Sequence, residues 1–473
     1  MAYHAPMNQA GSQIGSVDTD VIVAGAGAAG LAAAIAAADG GLTVALLEAS
    51  ETFRTGSNTS MSTSMIPVGG SRWQTAAGID DSKERLYDDI ISKTHGSADP
   101  VVARALIEVG EELADFLAED CSMPLELVLD AQYPGHSRKR HLCVPDRAGR
   151  TMHRHLLEAA EQREAITMVI PSRVVGLEPV GDGPEPIWKV TTRTPDGEEQ
   201  IITTSAVILA TNGFGANPER VAAHIPEIGQ GLYFGGDHSL GDALDIGESL
   251  GADTAYLDSY QGHGSVATPH GVLLTWTTVM NGAFLVNQSG TRFGDESTGY
   301  SEYAVQVLAQ PDATAWVVYD QRINDDALPF DDYQQLIESG GIRWADDVAT
   351  LADGIGCAPA ALEASFAEVK RASTEQGEDP FGRTSWGPPL AAPFAAVKVT
   401  GALFHTQGGL TVDGSARVLR NGEPIPGLYA AGGAAAGISG HGADGYMSGN
   451  GLLCALGLGY LAGQHITAGN TAR

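Results

Sequence analysis

Short apolar runs and glycine turns alternate near the start of the chain. Residues 20–24 (DVIVA) and 43–47 (TVALL) are continuous apolar runs, which are typical of strands buried in a parallel sheet. Between them, residues 25–30 (GAGAAG) open an alanine-rich helical pattern that extends from Leu31 to about Ala38. Residues 21–38 are apolar enough to resemble a membrane span, but the spaced glycines predict a strand, a turn and a helix.

Two further patterns predict a helix and an antiparallel hairpin. Asp99 and Pro100 form a helix start, with a capping residue and a proline in the first turn, and apolar residues follow at helical spacing. Residues 187–193 and 200–209 flank the turn sequence PDGE, which predicts an antiparallel pair. Residues 205–215 (SAVILATNGFG) then return to a buried strand followed by a glycine turn.

The pattern changes between about residues 262 and 392, where short strand-like segments alternate with acidic helical patterns. Residues 394–473 resume the glycine-rich strand and helix patterns. We therefore predict an α/β protein with a Rossmann-like dinucleotide-binding domain, residues 18–261 and 393–473, interrupted by an α+β capping domain, residues 262–392. Residues 1–17 are predicted to be a flexible tail.

Composition and charge exclude several classes of protein. The 473 residues are 43% hydrophobic and carry a formal net charge of −31, which disfavours nucleic acid and acidic membrane surfaces as partners. The four cysteines show no paired spacing, which excludes an attached c-type haem, a cysteine-ligated cluster and a disulfide framework. Because no export signal and no membrane span are visible, we expect a cytoplasmic location.

The glycine motif at residues 25–30 has the context of a dinucleotide site. Gly25 permits a tight turn, Gly27 lets the main chain approach a pyrophosphate, and Gly30 lets the helix pack closely on the strand. Glu48 ends the next predicted strand, where its carboxylate can accept hydrogen bonds from ribose hydroxyls. The alternative, a structural glycine turn without a ligand, does not account for this combination.

The carboxy-terminal region favours FAD over a nicotinamide cofactor. Residues 427–433 (GLYAAGG) form a second strand and glycine turn, resembling the element that closes over the flavin end of FAD in flavoproteins with two dinucleotide-binding domains. A helix predicted from about Asn450 to Ala462 would point its positive end at the flavin. The sequence contains no second complete GxGxxG motif. The fold class is therefore a glutathione-reductase-type FAD-binding domain with an inserted capping domain.

These segments together resemble the fumarate reductase/succinate dehydrogenase flavoprotein family, which includes the 3-ketosteroid dehydrogenases. Residues 56–66 resemble the family segment beside the flavin, residues 241–251 its GDG-helix element, and residues 404–409 (FHTQGG) its HxTMGG element. Asn58 stands where membrane-bound members carry the histidine that binds FAD covalently, so noncovalent FAD is expected. The predicted cofactor-binding residues are Gly25, Gly27, Ala29, Gly30, Glu48, Ala49, Ser57, Asn58, Thr59, Val174, Ala210, Thr211, Asn212, Gly213, Asp242, Gly408, Gly432, Gly433, Asn450, Gly451 and Leu452.

The resemblance fails at the two arginines of the fumarate reductases. Tyr300 follows residues 292–296 (RFGDE) near where the family has its proton-delivering arginine, and residues 441–450 (HGADGYMSGN) contain Tyr446 and Ser448 but no arginine. His263 and His405 match the two family histidines. Tyrosines at these positions resemble the ketosteroid dehydrogenases, and the Tyr446-x-Ser448 arrangement is most similar to the Δ4 type.

The expected activity is FAD-dependent dehydrogenation next to a ketone, either a 3-ketosteroid or a smaller cyclic ketone, although a keto acid is also open. Tyr446 would bind the ketone oxygen, Tyr300 would act as base or proton relay, and Ser448 could link Tyr300 to the proton. A tyrosine base requires a lowered pKa or a relay, because a free phenol has a pKa of about 10. Electrons would pass to an external acceptor such as a quinone, a dye or oxygen. The oligomeric state is unknown.

Three other functions stay open at this stage: a fumarate- or urocanate-type enoate reductase, an FAD monooxygenase and a non-catalytic flavin-binding protein. Two segments outside the motifs are also notable. Tyr133, in YPGH, is expected to be a turn residue rather than a third tyrosine of the site. The basic residues 138–141 (RKRH) are expected to form a solvated loop, whereas a carboxylate clamp there would favour an anionic substrate.

Overall fold

An eight-stranded sheet carries the glycine motif in the computed structural model, which describes residues 18–181, 186–374 and 378–471. Its central strands run parallel, and an antiparallel hairpin extends one of them, as the sequence predicts. The predicted tail, residues 1–17, lies outside the described residues. The strands of this sheet are Thr19–Ala24, Val44–Leu47, Ile166–Val169, Arg173–Val180, Ile187–Arg193, Glu199–Leu209, Arg417–Arg420 and Glu423–Ala430.

Two small-residue helices pack directly against each other beside this sheet. The first, Ala28–Asp39, is buried over nearly its whole length, and the second, Asn450–Thr471, lies along it. A Cβ at Gly459 would lie 2.2 Å from the carbonyl oxygen of Ala29, so glycine is required for this close approach. The first helix begins at Ala28 rather than Leu31, and the second continues past the predicted end at Ala462. No helix in the described ranges combines the length and apolarity needed to cross a membrane.

A second, seven-stranded sheet is built around one long strand, Phe394–Thr406, which pairs with three antiparallel strands over its length and with a short parallel strand. The sheet is antiparallel apart from that short strand, as expected for an α+β unit. The other strands are Leu232–Tyr233, Tyr260–Ala267, Val272–Leu273, Phe284–Val286, Thr314–Asp320 and Ile342–Ala345. The helices around it are Thr277–Met280, Tyr300–Leu308, Gln321–Ala327, Asp331–Glu338, Val348–Ile355 and Pro359–Ser373.

The remaining elements connect these two sheets. The helix Pro100–Glu119 begins as predicted, because the Asp99 carboxylate accepts hydrogen bonds from the Val101 and Val102 amides. A small three-stranded sheet contains Ile66–Pro67, Glu126–Leu127 and His141–Cys143. A two-stranded sheet contains Thr254–Ala255 and Gly409–Leu410. The other helices are Phe53–Gly56, Asn58–Met61, Arg72–Ala76, Lys83–Lys93, Gly149–Glu161, Pro218–His224 and Asp242–Leu250.

The predicted α/β fold class is confirmed by this mixed architecture. The predicted boundary after residue 261 falls inside the strand Tyr260–Ala267, whereas residue 393 directly precedes the strand Phe394–Thr406. The division of the chain into two domains at these positions stays a prediction.

Candidate active site

A single cleft runs from the glycine motif to the second sheet. The cleft has an empty volume of about 2060 Å³, including the part that is open to solvent. Main chain and small residues form one end, around Gly25, Gly27 and Gly432, and aromatic side chains form the other. The aromatic lining residues are Phe53, Tyr133, Phe234, His238, His263, Trp276, Tyr300, Phe330, Phe404, His405 and Tyr446.

The glycines of the motif are needed because the main chain is crowded here. Gly25 has a φ of +110°, and a Cβ on it would lie 2.3 Å from the carbonyl oxygen of Ala210. A Cβ on Gly30 would lie 1.8 Å from the carbonyl oxygen of Gly25, while Gly27 faces the cleft. Gly30 therefore serves helix–strand packing, and Gly27 leaves the main chain open to a ligand.

The acidic residue of the motif is already anchored. The Glu48 carboxylate lines the cleft and accepts hydrogen bonds from the amides of Ala26 and Ser50, both at 2.8 Å. Thr59 contributes a second anchor, since its hydroxyl accepts a hydrogen bond of 2.9 Å from the Ala28 amide. These bonds fix the strand end and the glycine loop relative to each other, which is the geometry that a ribose and a pyrophosphate require.

Most of the other predicted cofactor residues also reach the cleft. Asp242 lines it, but its carboxylate is paired with Arg173 at 2.8 Å. Gly213 and Gly408 do not line it, because Thr406 and Tyr256 pack against their Cα atoms, so these two glycines serve packing. Those lining the cleft are Gly25, Gly27, Ala29, Glu48, Ala49, Ser57, Asn58, Thr59, Val174, Ala210, Thr211, Asn212, Asp242, Gly432, Gly433, Gly451 and Leu452.

Buried polar atoms without partners mark the cleft as a binding site. The hydroxyl of Thr211, on the cleft wall, has no hydrogen-bond partner in the described structure. Both amide atoms of Asn450, the first residue of the helix Asn450–Thr471, are likewise buried without partners, although Asn450 does not line the cleft. Because buried polar atoms are nearly always satisfied, these groups and the glycine-lined main chain fit a bound dinucleotide such as FAD.

Tyr300 and Tyr446 meet at the aromatic end of the cleft. Their ring centroids are 5.9 Å apart at an interplanar angle of 65°, and both rings line the cleft. Tyr300 begins the helix Tyr300–Leu308, directly after Gly299, whereas Tyr446 lies in the loop before the helix Asn450–Thr471. The fold therefore brings together two phenols that are far apart in the sequence.

Burial keeps both phenols neutral. Desolvation raises the pKa of Tyr300 well above its usual value of 10, and a side-chain hydrogen bond with Ser448 only partly opposes it. Desolvation also raises the pKa of Tyr446, opposed by hydrogen bonds from Tyr300 and from the main chain of Gly449 and Gly451. The net effect of the described surroundings is to raise both pKa values, which favours a relay over a tyrosine with a lowered pKa.

The two predicted histidines are neutral and line the same end. The ring of His263 stacks between Tyr300 (centroids 4.8 Å apart) and Phe404 (5.1 Å), and burial lowers its pKa to about 3. Its Nδ1 accepts a hydrogen bond from the Ser265 amide, which leaves the ring proton on Nε2. Burial also lowers the pKa of His405 to about 4, and its Nδ1 lies 2.8 Å from the Gln407 side-chain nitrogen.

Two expectations for residues 133–141 are wrong. Tyr133 is not merely a turn residue: it is buried, lines the cleft, and has its pKa raised to about 12 by desolvation. Arg140 is neither solvated nor a clamp for a ligand, because it is fully buried and paired with Asp81 at 2.9 Å and with Asp89. The sequence could not show this pairing, since the partners lie about 50 to 60 residues away.

Several lining residues escaped the sequence analysis altogether. Phe234, Trp276 and Phe330 come from separate segments without a motif of their own, so no local pattern marks them. Arg173 is the only lysine or arginine among the described lining residues, and it is paired with Asp242. The aromatic end therefore presents hydroxyl and imidazole groups, with no unpaired cation among the residues that line it.

Comparisons with known proteins agree with the geometry. Residues 20–452 match the family described as "FAD binding domain". The chain is 28% identical over 453 residues to an NADH:fumarate oxidoreductase of Klebsiella pneumoniae, covering 94% of this chain but only 47% of that protein. It is 26% identical to a 4-oxocyclohexanecarboxylate 2-dehydrogenase of Sinomonas cyclohexanicum, covering 96% of this chain and 93% of that protein.

A solved structure is similar over the whole fold. The chain superimposes on 3-ketosteroid-Δ4-(5α)-dehydrogenase from Rhodococcus jostii RHA1, in complex with 4-androstene-3,17-dione, with a TM-score of 0.74 and 25% identity. The match covers 96% of this chain and 98% of that one. The predicted cofactor, FAD, is confirmed by the family match. The chain belongs to the FAD binding domain family and is an FAD-dependent oxidoreductase that acts on CH–CH groups.

Proposed function

We propose that this protein is a dehydrogenase that introduces a carbon–carbon double bond next to the ketone of a cyclic substrate. One observation carries the proposal: Tyr300 and Tyr446 face each other in a cleft where the only lysine or arginine among the described lining residues, Arg173, is already paired. A dicarboxylate needs cations to replace its hydration, whereas a neutral ketone oxygen needs only hydrogen-bond donors. Phenols and neutral imidazoles are such donors.

The chain's own residues divide the chemistry as follows. Tyr446 donates its hydroxyl proton to the ketone oxygen, which acidifies the neighbouring C–H bond. The Tyr300 oxygen receives the proton from that carbon and passes its own proton to Ser448, so that no free phenolate accumulates in the buried site. FAD, when bound, supplies the acceptor for the hydride that leaves the adjacent carbon. The released proton leaves to solvent, and reoxidation of FAD would require an external electron acceptor.

The substrate class follows from the walls of the cleft. Beyond the phenols, the lining includes Leu273, Trp276 and Phe330, which offer apolar contact to a ring system. The similar solved structure binds a steroid ketone, and one relative is named for a cyclic keto acid. We place the substrate of this protein among cyclic ketones, with a 3-ketosteroid or a smaller ring as the candidates.

Anaerobic mixing tests this proposal. Flavin-loaded protein is mixed with a saturated 3-ketosteroid, with 4-oxocyclohexanecarboxylate and with succinate, and the visible absorbance of the flavin is followed. We expect a ketone to bleach the flavin and succinate to leave it oxidised. Bleaching by succinate alone would contradict the proposal, as would ketone bleaching that proceeds at the normal rate in Tyr300→Phe with normal flavin content.

A second candidate is an enoate reductase that runs the reaction in the opposite direction. It is favoured by the identity to an NADH:fumarate oxidoreductase over 94% of this chain. To distinguish the two, chemically reduced protein is mixed with fumarate and with a cyclic enone. Reoxidation by fumarate would support the reductase, whereas reoxidation by the enone alone is the reverse of the ketone dehydrogenation and supports the first proposal.

A further inference from the structure

Two buried histidines outside the proposed reaction converge on one main-chain atom next to the site. His136 Nε2 lies 3.1 Å and His141 Nε2 lies 3.0 Å from the carbonyl oxygen of Ser448. Both rings are buried, and their centroids are 4.4 Å apart. More than 300 residues separate them in sequence from Ser448, so only the tertiary structure creates this arrangement.

The chemistry of a carbonyl fixes the protonation of both rings. A carbonyl oxygen only accepts hydrogen bonds, so each histidine must carry its proton on Nε2 and donate it. Burial lowers the pKa of His141 to about 4 and that of His136 well below 6.5, so both rings are neutral near pH 7. The Ser448 carbonyl oxygen thus accepts two hydrogen bonds, one from each of two rigid side chains.

The histidine pair is itself held rigidly. Arg140, next to His141, is fully buried and paired with Asp81 and Asp89, and the Arg140 carbonyl accepts a hydrogen bond from the Val68 amide. His141 packs edge-on against Tyr133, with ring centroids 5.0 Å apart. Residues 133–141, which contain the sequences YPGH and RKRH, are therefore held in place by their own contacts and support the loop that carries Tyr446 and Ser448.

The main chain of that loop makes few hydrogen bonds within residues 445–449 of the described structure, so contacts from other segments contribute to its position. Gly449 has a φ of +82°, and a Cβ there would lie 3.4 Å from the His141 ring and 2.6 Å from Pro67. The Tyr446 amide makes only a long hydrogen bond of 3.4 Å to the Ala443 carbonyl. A displacement of the Ser448 carbonyl would move the hydroxyls of Ser448 and Tyr446 with it.

We propose that His136 and His141 are positioning residues that hold the Ser448 carbonyl and thereby align the hydroxyls of Tyr446 and Ser448 with Tyr300. Neither histidine is among the described residues that line the cleft, so both act through the loop. The proposal rests on the proposed function for its effect on turnover, but the loop geometry that it predicts can be measured without a substrate.

The experiment compares amide side chains of different length in the flavin-loaded protein. His141→Gln retains an N–H donor near the position of Nε2, whereas His141→Asn has the same amide but is one carbon shorter. The same pair is made at position 136. Hydrogen exchange of the Tyr446 and Asn450 amides is measured, together with the rate of flavin reduction by the ketone at saturation and its KM.

We expect the asparagine variants to exchange these two amides faster, with flavin content and exchange elsewhere unchanged, and the glutamine variants to restore protection. Turnover should fall by about 10- to 100-fold in the asparagine variants, because displacements of about 1 Å have effects of this size, while KM changes less than twofold. His465→Asn is the control, since it removes a hydrogen bond to Tyr429 far from the cleft. It should change neither measurement.

Equal exchange of Tyr446 and Asn450 in the asparagine and glutamine variants would overturn the positioning role. If no ketone reduces the flavin of the unaltered protein, the proposed function fails, but the exchange comparison still decides whether the histidines hold the loop. Loop exchange that rises in the asparagine variants while turnover stays normal would also overturn the proposal, because the loop would then be free to move without consequence.

Discussion

The two ends of the cleft are built in different ways. At the glycine end, the motif at residues 25–30 forms the wall together with residues 210–212 and 432–433, and the important atoms belong to the main chain. At the aromatic end, each functional side chain comes from a different segment and a different element. The residues that meet there are Tyr133, His263, Tyr300, His405 and Tyr446.

This difference decides how each end responds to change. A main-chain site tolerates no added atoms, because a Cβ at its packed glycines would overlap a neighbouring carbonyl oxygen. A side-chain site keeps its shape when one hydroxyl is removed but loses the chemistry of that hydroxyl. We therefore expect substitutions at the first end to abolish the cofactor-bound protein, and substitutions at the second to leave the cofactor bound and the reaction slow.

The largest effect is expected for Gly30→Ala. The new Cβ would lie 1.8 Å from the carbonyl oxygen of Gly25, so the glycine loop must move away from its strand and flavin binding should be lost. The ratio of flavin to protein after purification measures this loss. Gly354→Ala, also within a helix but with no atom within 4 Å of its Cβ, is the control and should retain full flavin. A Gly30→Ala protein with normal flavin would contradict the packing role.

The next largest effect is expected for Tyr446→Phe and Tyr300→Phe. Loss of a group that moves a proton typically slows a reaction by about 10²- to 10⁴-fold, and flavin content should not change. The double variant should be little slower than the worse single variant, because the Tyr446 hydroxyl acidifies the same C–H bond whose proton Tyr300 removes, so both hydroxyls act in one step. Tyr303→Phe is a matched control on the same helix, because its buried hydroxyl has no hydrogen-bond partner in the described structure. Its turnover should be normal.

An intermediate effect is expected from acid. Burial lowers the pKa values of His136, His141, His263 and His405, so between pH 6.5 and about 5 the unfolded chain binds protons that the folded chain does not. The free energy of unfolding therefore decreases as the pH is lowered, by about 1.4 kcal/mol per pH unit for each histidine. Urea unfolding at several pH values measures this slope. His405→Gln should reduce the slope, and an unchanged slope would contradict the assignment.

The smallest effect is expected at the mouth of the cleft. Arg150 and Asp331 form an exposed ion pair beside Phe330, which lines the cleft. Exposed pairs contribute about 0 to 1 kcal/mol, so Asp331→Asn should change KM less than about fivefold, and the change should vanish at high salt. Glu199→Gln breaks a similarly exposed pair with Arg193 on the remote hairpin and should leave KM unchanged. A salt-independent change in KM would indicate a direct contact with the substrate instead.

The elements that were predicted well are those with local causes. The strand Thr19–Ala24, the capped helix from Pro100 and the hairpin of residues 187–209 follow from apolar runs, a capping aspartate and a turn sequence. The roles of Tyr300 and Tyr446 came from family resemblance alone, since a tyrosine in a loop has no local signature. Tyr133 and Arg140 were misjudged because their neighbours are distant in sequence.

The sequence by itself determined the α/β class and the glycine-lined cofactor site, because close main-chain packing demands particular small residues at fixed spacing. FAD was indicated by the resemblance of the sequence to flavoproteins. Only the tertiary structure decided which aromatic side chains share the cleft, that both phenols stay neutral, and that two distant histidines hold the Ser448 carbonyl. The physical reason is that burial, and the pKa shifts it causes, depend on the neighbours that the whole fold assembles around a group.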